Sequence, residues 1–336
     1  MAEIIIEKGG MLTTIQDCGR HGYQRYGMPV SGAMDLQALL TANTLVGNNS
    51  GIPSHTGNSS GNPSHTGNIP GAAALEATLV GPEILFRGSC ESASSDNFPQ
   101  TLIDNFHPTT LCTIIAITGA DMQPCINGRP IEMYRPVKVN SGDRLTFTGL
   151  KNGCRTYIAF AGGLDVPMVM GSRSTYLRAK IGGLEGRPLK AGDVIPLGSF
   201  TNLAGNNSSP KITGIIPDYQ TKRPIQIIPG PEIQRLDFEG IRTFLTTEYT
   251  VSANSDRMGL RLDGQPIHIK GAEGHDIISS GISFGTIQLP GNGLPIILMA
   301  DRQTTGGYAR IANILTEELP RVAQLKPGDK INFASV

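Results

Sequence analysis

The chain alternates between short apolar runs and breaks that carry Gly or Pro. Residues 4–7, 114–118, 144–148, 157–161, 225–228, 267–270 and 296–299 are β-branched or aromatic and flanked by such breaks, which predicts strands. Helical periodicity is rarer. Ser31 can cap a helix running to about residue 46, with Met34, Ala38, Ala42 and Leu45 at helical spacing and Gly47 at the exit. Pro231 can open a second helix with Ile233, Leu236 and Ile241 on one side. A third is expected after Gly306 and Gly307, through YARIANIL, and a short helical turn between residues 317 and 324. No run of ~18 apolar residues occurs, so no spanning helix is expected. The pattern predicts a mainly β protein with a few helices.

Some segments break this pattern. Residues 48–71 contain PSHTGN twice, ten positions apart, and too few apolar residues to bury a core. His55 and His65 lie in that repeat without a nearby acid or Cys, so it reads as a solvated insertion. Residues 88–108 are Ser/Asn-rich and form a weaker case. Residues 202–211, NLAGNNSSPK, read as an interdomain linker. A more distant repeat is present as well. GADMQPCINGRP at 119–130 aligns with SDRMGLRLDGQP at 255–266, and LKAGDVI at 189–195 aligns with LKPGDKI at 325–331, both at an offset of 136. GPEI at 81–84 and 230–233 recurs at a longer offset, as an extension in the first copy would produce. A duplicated β-rich module is expected: an N-terminal domain over 1–200 with the insertions, a linker at 201–222, and a C-terminal domain over 223–336.

Composition narrows the function. The 336 residues suit about two domains. Lys+Arg and Asp+Glu are both 28, which argues against nucleic acid as a partner. With 42 Gly, 23 Pro and no Trp, a turn-rich β protein fits better than a helical bundle. The start is acidic and lacks a long apolar stretch, so no secretory signal and no membrane association are expected. Five widely spaced cysteines without a CxxC read as reduced thiols and a cytoplasmic location.

Four polar, Gly-rich segments can carry chemistry. TTIQDCGRHGYQRYGMPVSGAMD at 13–35 offers Gln16, Asp17 and Arg20 before a glycine-rich loop, with Ser31 at a helix start where backbone amides can hold an anion; Ser31 can equally be only a cap and Asp17 only a turn residue. GSRST at 171–175 supplies Arg173 and Ser174 for a carboxylate or phosphate, or is a surface loop. SDRMGLRL at 255–262 supplies Arg257, which can instead form an ion pair with Asp256. ADRQTTGGY at 300–308 places Asp301, Arg302, Gln303, Thr304 and Thr305 in a strand-to-helix loop of the kind that holds ligands. There is no Walker loop, H-x-x-x-H, C-x-x-C or G-x-S-x-G, and no Met-Lys-Met carrier segment, so neither a metal site nor a biotin attached to this chain is expected.

In order along the chain, TTIQDCGRHGYQRYGMPVSGAMD, LEATLVGPEI, ITGADM, INGRP, YIAFAGGLDVPMVMGSRSTYLRAKIGGLEGR and SFGTIQLPGNGLPIILMADRQTTGGYARIANI resemble the allophanate hydrolase subunit 2 family. That family includes KipA, the biotin-dependent carboxyltransferase-like proteins and the 5-oxoprolinase C subunits. The resemblance implies tandem cyclophilin-like β-barrel domains. It implies a component of a hydrolase, inactive alone, that works with two partners, a KipI-like B subunit plus a LamB/YcsF-like A subunit. Together they would open 5-oxoproline to glutamate, with ATP as co-substrate of the complex. Two alternatives come with it: a biotin-dependent carboxyltransferase component that acts on urea or a similar amide, and a regulatory protein that binds and antagonises a KipI-type kinase inhibitor. Both enzyme readings need donors for a developing oxyanion and a positive group for an anion. Asp301, Arg302, Gln303, Thr304 and Thr305 are the expected catalytic set, with Asp301 the candidate base. Gln16, Asp17, Arg20, Ser31, Arg173, Ser174 and Arg257 are the expected substrate-binding set.

Overall fold

The computed structural model describes residues 2–48, 72–88, 111–199, 218–219, 222–269 and 276–336. Nearly all of the two expected insertions, and the 202–211 segment, lie outside the described residues. The protein is mostly β and divides into two compact units. The first comprises Met1–Cys18, Gln37–Lys151 and Thr156–Ile215. The second comprises Gly19–Leu36, Asn152–Arg155 and Ile216–Val336, so it takes in the N-terminal glycine-rich segment.

In the first unit, β1 (Glu3–Lys8), β2 (Leu12–Gln16), α1 (Leu36–Leu45), β3 (Ala74–Thr78), β4 (Glu83–Arg87), β5 (Leu111–Asp121), β6 (Pro124–Ile126), β7 (Arg129–Pro130), β8 (Pro136–Asn140), β9 (Arg144–Phe147), β10 (Asn152–Phe160) and β11 (Val194–Pro196) build two sheets. Their orders are β11-β1-β4-β9-β6-β7 and β2-β3-β10-β5-β8. In β1, Ile4 and Ile6 are fully buried while their neighbours face outward, the period-two alternation of a half-covered strand. Ile4, Ile6, Ile84 and Phe86 from one sheet pack with Ile15, Leu75, Ile115 and Ile158 from the other in one core. Each such side chain contributes about 1.5–3 kcal/mol by leaving water. Helix α1 is fixed to β5 by the Thr118 hydroxyl, which donates to the Ala38 carbonyl at 2.7 Å.

In the second unit, β12 (Ile225–Pro229), α2 (Phe238–Thr246), β13 (Tyr249–Val251), β14 (Gly259–Asp263), β15 (Asp276–Gly281), β16 (Thr286–Leu289), β17 (Ile296–Leu298), β18 (Thr305–Ile314), α3 (Leu319–Ala323), β19 (Lys330–Ile331) and β20 (Phe333–Ser335) follow in turn. The sheet runs β19-β13-β14-β17-β16-β18-β12-β20, with β15 added on β18. Its two end strands, β19 and β20, are separated in the chain by Asn332 alone, whose carbonyl accepts from Ile225. A sheet whose ends are joined by a single residue must curl into a nearly closed barrel. Ile227, Leu260, Ile287, Leu289, Ile297 and Ile311 fill it, and Phe333 packs against Phe244 and Tyr249 at 5.1 and 5.8 Å between ring centroids. Helix α2 starts at Asp237, whose carboxylate accepts from the Gly240 amide at 2.7 Å.

The GD repeat is built the same way in both units. Asp193 accepts from the Lys190 amide at 2.8 Å, and Asp329 accepts from the Lys326 amide at 3.0 Å. Gly192 and Gly328 both adopt φ 89°, the left-handed conformation such a turn asks of glycine. The NG and DG parts of the other repeat differ. Asn127 and Gly128 form a tight hairpin between β6 and β7 with φ 50° and 77°, whereas Gly264, which follows β14, lacks positive φ.

Three local expectations are corrected. Residues 306–314 are strand, not helix, in β18. Residues 267–270 form no strand among the described residues; Ile269 makes only an isolated bridge to Leu236. Helix α1 begins at Leu36 rather than after Ser31, because Ser31 and Gly32 hold φ 58° and 86°, which no right-handed helix accommodates. Gly47 does close that helix with φ 77°.

Candidate functional site

The sequence-predicted residues fall into two clusters, one in each unit. In the second unit, the loop after β17 presents Asp301, and the turn before β14 presents Arg257. Arg257 Nε donates to Asp301 Oδ2 at 3.0 Å, and Nη2 reaches Oδ1 at 3.3 Å and also donates to the Gly32 carbonyl. The Asp301 amide returns a bond to the Arg257 carbonyl at 2.8 Å. Ser31 Oγ donates to Asp301 Oδ1 at 2.6 Å. Both charged side chains are only 6% exposed. Fork geometry and buried, reciprocal bonds make this pair rigid. Asp301 is therefore occupied on both oxygens, and Ser31 points its hydroxyl at a carboxylate instead of capping a helix. The Asp256 carboxylate accepts from the Met258 and Gly259 amides at 2.8 and 3.2 Å.

The loop that carries Ser31 is closed at its base. The Arg20 amide donates to the Val30 carbonyl at 2.8 Å, and a Cβ on Gly19 would lie 2.8 Å from Val30 Cγ1 and 2.9 Å from the Val30 oxygen. Glycine, at φ 92°, is what allows the two ends to meet. The Arg20 side chain is fully buried.

Arg302 stands beside Asp301 in different circumstances. Its Nε donates to the Ile282 carbonyl at 3.3 Å and its Nη1 to the Met299 carbonyl at 3.2 Å, and the guanidinium lies 5.6 Å from the Phe284 ring centre. Among the described residues it has no carboxylate within ion-pair distance. Burial pulls its pKa down to about 10, against the opposing attraction of the Asp301 charge. Gln303 and Thr305 are exposed and Thr304 half-buried, with Thr305 opening β18.

In the first unit, Asp17 organises the GSRST loop. Its Oδ1 accepts from Ser172 Oγ at 2.6 Å and Ser174 Oγ at 2.5 Å, and its Oδ2 accepts from the Arg173 amide at 2.6 Å. Ser174 Oγ accepts in turn from the Asp17 amide at 2.9 Å. Asp17 and Ser174 are thereby committed to loop geometry, while the Arg173 side chain is half-buried, with Nε on the Val166 carbonyl at 3.0 Å. Gln16 donates to Thr14 Oγ1 at 2.9 Å and to the Thr175 carbonyl at 3.2 Å. Ser172 was not among the expected residues; its place two positions before Ser174 in GSRST is the signal that could have found it. Among the described residues no group of three or more His, Cys, Asp or Glu side chains is placed to hold a metal, and no helix is long and apolar enough to cross a membrane.

The family model for the carboxyltransferase domain, subdomain A and B, matches residues 106–335. The chain belongs to that family. It is 35% identical over 328 residues to the 5-oxoprolinase C subunit of Escherichia coli (strain K12), covering 98% of this chain and 89% of that protein. It is 33% identical over 348 residues to the urea amidolyase of Lachancea kluyveri, which is 97% of this chain and 16% of that much longer protein. Among solved structures it resembles the K. lactis urea amidolyase with a TM-score of 0.78 and 30% identity, over 99% of this chain and 19% of that one. The family's members are thus both free-standing subunits and parts of longer enzymes.

Proposed function

We propose that the chain is the C subunit of an ATP-dependent 5-oxoprolinase. The observation that carries this reading is the match to free-standing 5-oxoprolinase subunits over nearly their whole length, against about a sixth of the urea amidolyases. In this reading the chain works with a KipI-like B subunit plus a LamB/YcsF-like A subunit, and is inactive alone. ATP is a substrate of the complex. Opening a lactam requires stabilising negative charge as it develops on the amide oxygen. Arg302 suits that task, because a half-buried guanidinium whose bonds end on neutral carbonyls keeps N–H donors for a ligand. Asp301 serves as a positioning residue: clamped by Arg257, it fixes the Ser31 hydroxyl. Within the first unit, Arg173, held by the loop that Asp17 organises, supplies a cation for a carboxylate or phosphate. Thr304, Thr305 and Arg20 in the second unit, and Gln16 in the first, stay proposed binding residues, each within its own unit.

A second reading is supported by the fold match to the K. lactis urea amidolyase and by the carboxyltransferase family model. Here the chain transfers a carboxyl group to urea or a similar amide, with biotin carried by another chain. The experiment that separates them is reconstitution with the KipI-like and LamB/YcsF-like subunits. ATP-dependent glutamate release from 5-oxoproline is expected. A stable complex without release, but with carboxyl transfer to urea from a carboxylated carrier, favours the second reading.

A further inference from the structure

A cavity of about 210 Å³ opens against the outer face of β14 in the second unit. Leu260 and Leu262 of that strand are buried in the core, while Arg261 and Asp263 alternate outward and line the cavity. Asn254 and Asn292 add polar groups to the lining, and Leu294 and Ile296 give it an apolar side. The walls are fixed by the backbone. The Ser252 amide donates to the Arg261 carbonyl at 2.8 Å and the Arg261 amide to Ser255 Oγ at 3.0 Å, which pins the loop that carries Asn254. The turn that carries Asn292 is pinned likewise: the Leu262 amide donates to the Pro295 carbonyl at 3.0 Å, and the Ile267 amide to the Gly293 carbonyl at 2.8 Å. The Leu294 amide donates to Asn292 Oδ1 at 3.1 Å, so Asn292 keeps Nδ2 as a donor.

The two charges in this lining are not met by the protein. Among the described residues, neither the Arg261 guanidinium nor the Asp263 carboxylate has a hydrogen-bond or ion-pair partner, and they do not pair with each other. Their Cα atoms are about 6.5 Å apart, two steps along an extended strand. The repeat shows that the module does not need these charges to fold. At the offset of 136 their counterparts in the first unit are Cys125 and Asn127. Cys125 is buried, and Asn127 is tied into its own turn, with Nδ2 donating to Asp143 Oδ1 at 2.7 Å and Oδ1 accepting from the Arg144 amide at 2.9 Å. Opposite charges particular to the second copy, set in a preformed cavity, match a ligand that carries both charges itself. A guanidinium fork grips a carboxylate with two bonds, and a carboxylate accepts from an ammonium. The volume is below the roughly 300–1,000 Å³ of sites for drug-sized ligands and cofactors, so the ligand is small. We propose that this cavity binds the zwitterion of an α-amino acid, with Arg261 on its carboxylate and Asp263 on its ammonium group. The inference uses none of the residues placed around the substrate of the proposed reaction and stands without that reading.

Calorimetric titration of the full chain with L-glutamate, L-glutamine and L-alanine tests this, and saturable binding of at least one is expected. The N-acetylated form of that amino acid lacks the ammonium charge, and the amine left by removing its α-carboxyl group lacks the carboxylate. Each is expected to bind at least about tenfold more weakly. Arg261→Gln and Asp263→Asn are each expected to lose the same factor with an unchanged thermal midpoint, because both side chains are exposed. The analogue series reads the wild-type chain alone, so it decides the matter even where a variant does not fold. Binding of none of the three amino acids, equal affinity for an analogue with one charge, or undiminished binding by both variants overturns the proposal. Amino-acid binding here by a chain that supports no turnover in the reconstituted complex leaves this site standing and removes the 5-oxoprolinase reading.

Discussion

Two arginines flank Asp301 and differ in how their charge is met. Arg257 is buried with a carboxylate bonded to its fork, so removing it leaves Asp301 buried and unpaired. Arg257→Met is expected to lower stability by about 3–5 kcal/mol in chemical denaturation. Arg302 is desolvated without such a partner, and its folded form already disfavours the charge. Arg302→Met is therefore expected to change stability by less than about 1 kcal/mol while abolishing turnover in the complex. A large loss of stability in that variant would make Arg302 structural. Acid titration probes another pair. Glu232 has its carboxyl held below the usual range, chiefly by the hydrogen bond from Arg310. A lowered folded pKa contributes stability that is complete above the unfolded value near 4.5 and is lost as pH falls through the folded value. Glu232→Gln should flatten the urea midpoint against pH in that acid window, and an unchanged slope would contradict the assignment. The Ser31–Asp301 bond joins residues 270 positions apart, which is why no local pattern could reveal it. The sequence marked both segments as polar and glycine-rich, yet left Ser31 equally readable as a helix cap.

At the scale of elements, β18 shows how a strand can imitate a helix. Beyond Gly306, its buried residues are Ala309 and Ile311, then Ala312 and Ile314. Its register against β16 shifts between Ile287 and Gln288, where one extra residue enters β18. That bulge moves the buried phase by one position and creates the three-residue spacing that reads as helical. Strands whose buried alternation is undisturbed, such as β1 through Ile4 and Ile6 and β12 through Ile225 and Ile227, were legible. Helix α2 was legible only in part: of the three residues expected on its apolar side, Ile233 lies in a 3-10 turn at Ile233–Arg235, Leu236 is extended, and only Ile241 falls in the helix that Asp237 caps. Asp237→Ala removes the bond to the Gly240 amide and should lower stability by about 1 kcal/mol. Because Phe238 is 82% exposed and contributes little burial, a similar loss from Phe238→Ala would argue that packing, not capping, fixes this end.

At the scale of the whole molecule, two β-rich units share one kind of GD turn, and each holds one of the candidate clusters. The glycine-rich segment near the N-terminus belongs to the unit formed mainly by the C-terminal half, a reassignment that linear domain boundaries cannot express. A balanced charge and a near full-length likeness to free-standing 5-oxoprolinase C subunits both suit a protein that works with partners on a small substrate. The most direct measurement is glutamate release from 5-oxoproline by the chain reconstituted with its proposed KipI-like and LamB/YcsF-like partners, with and without ATP. The account predicts ATP-dependent release from the full complex, none from the chain alone, and none when Arg302→Met replaces the wild type. Release that persists without this chain, or wild-type release with the Arg302 variant, would contradict it.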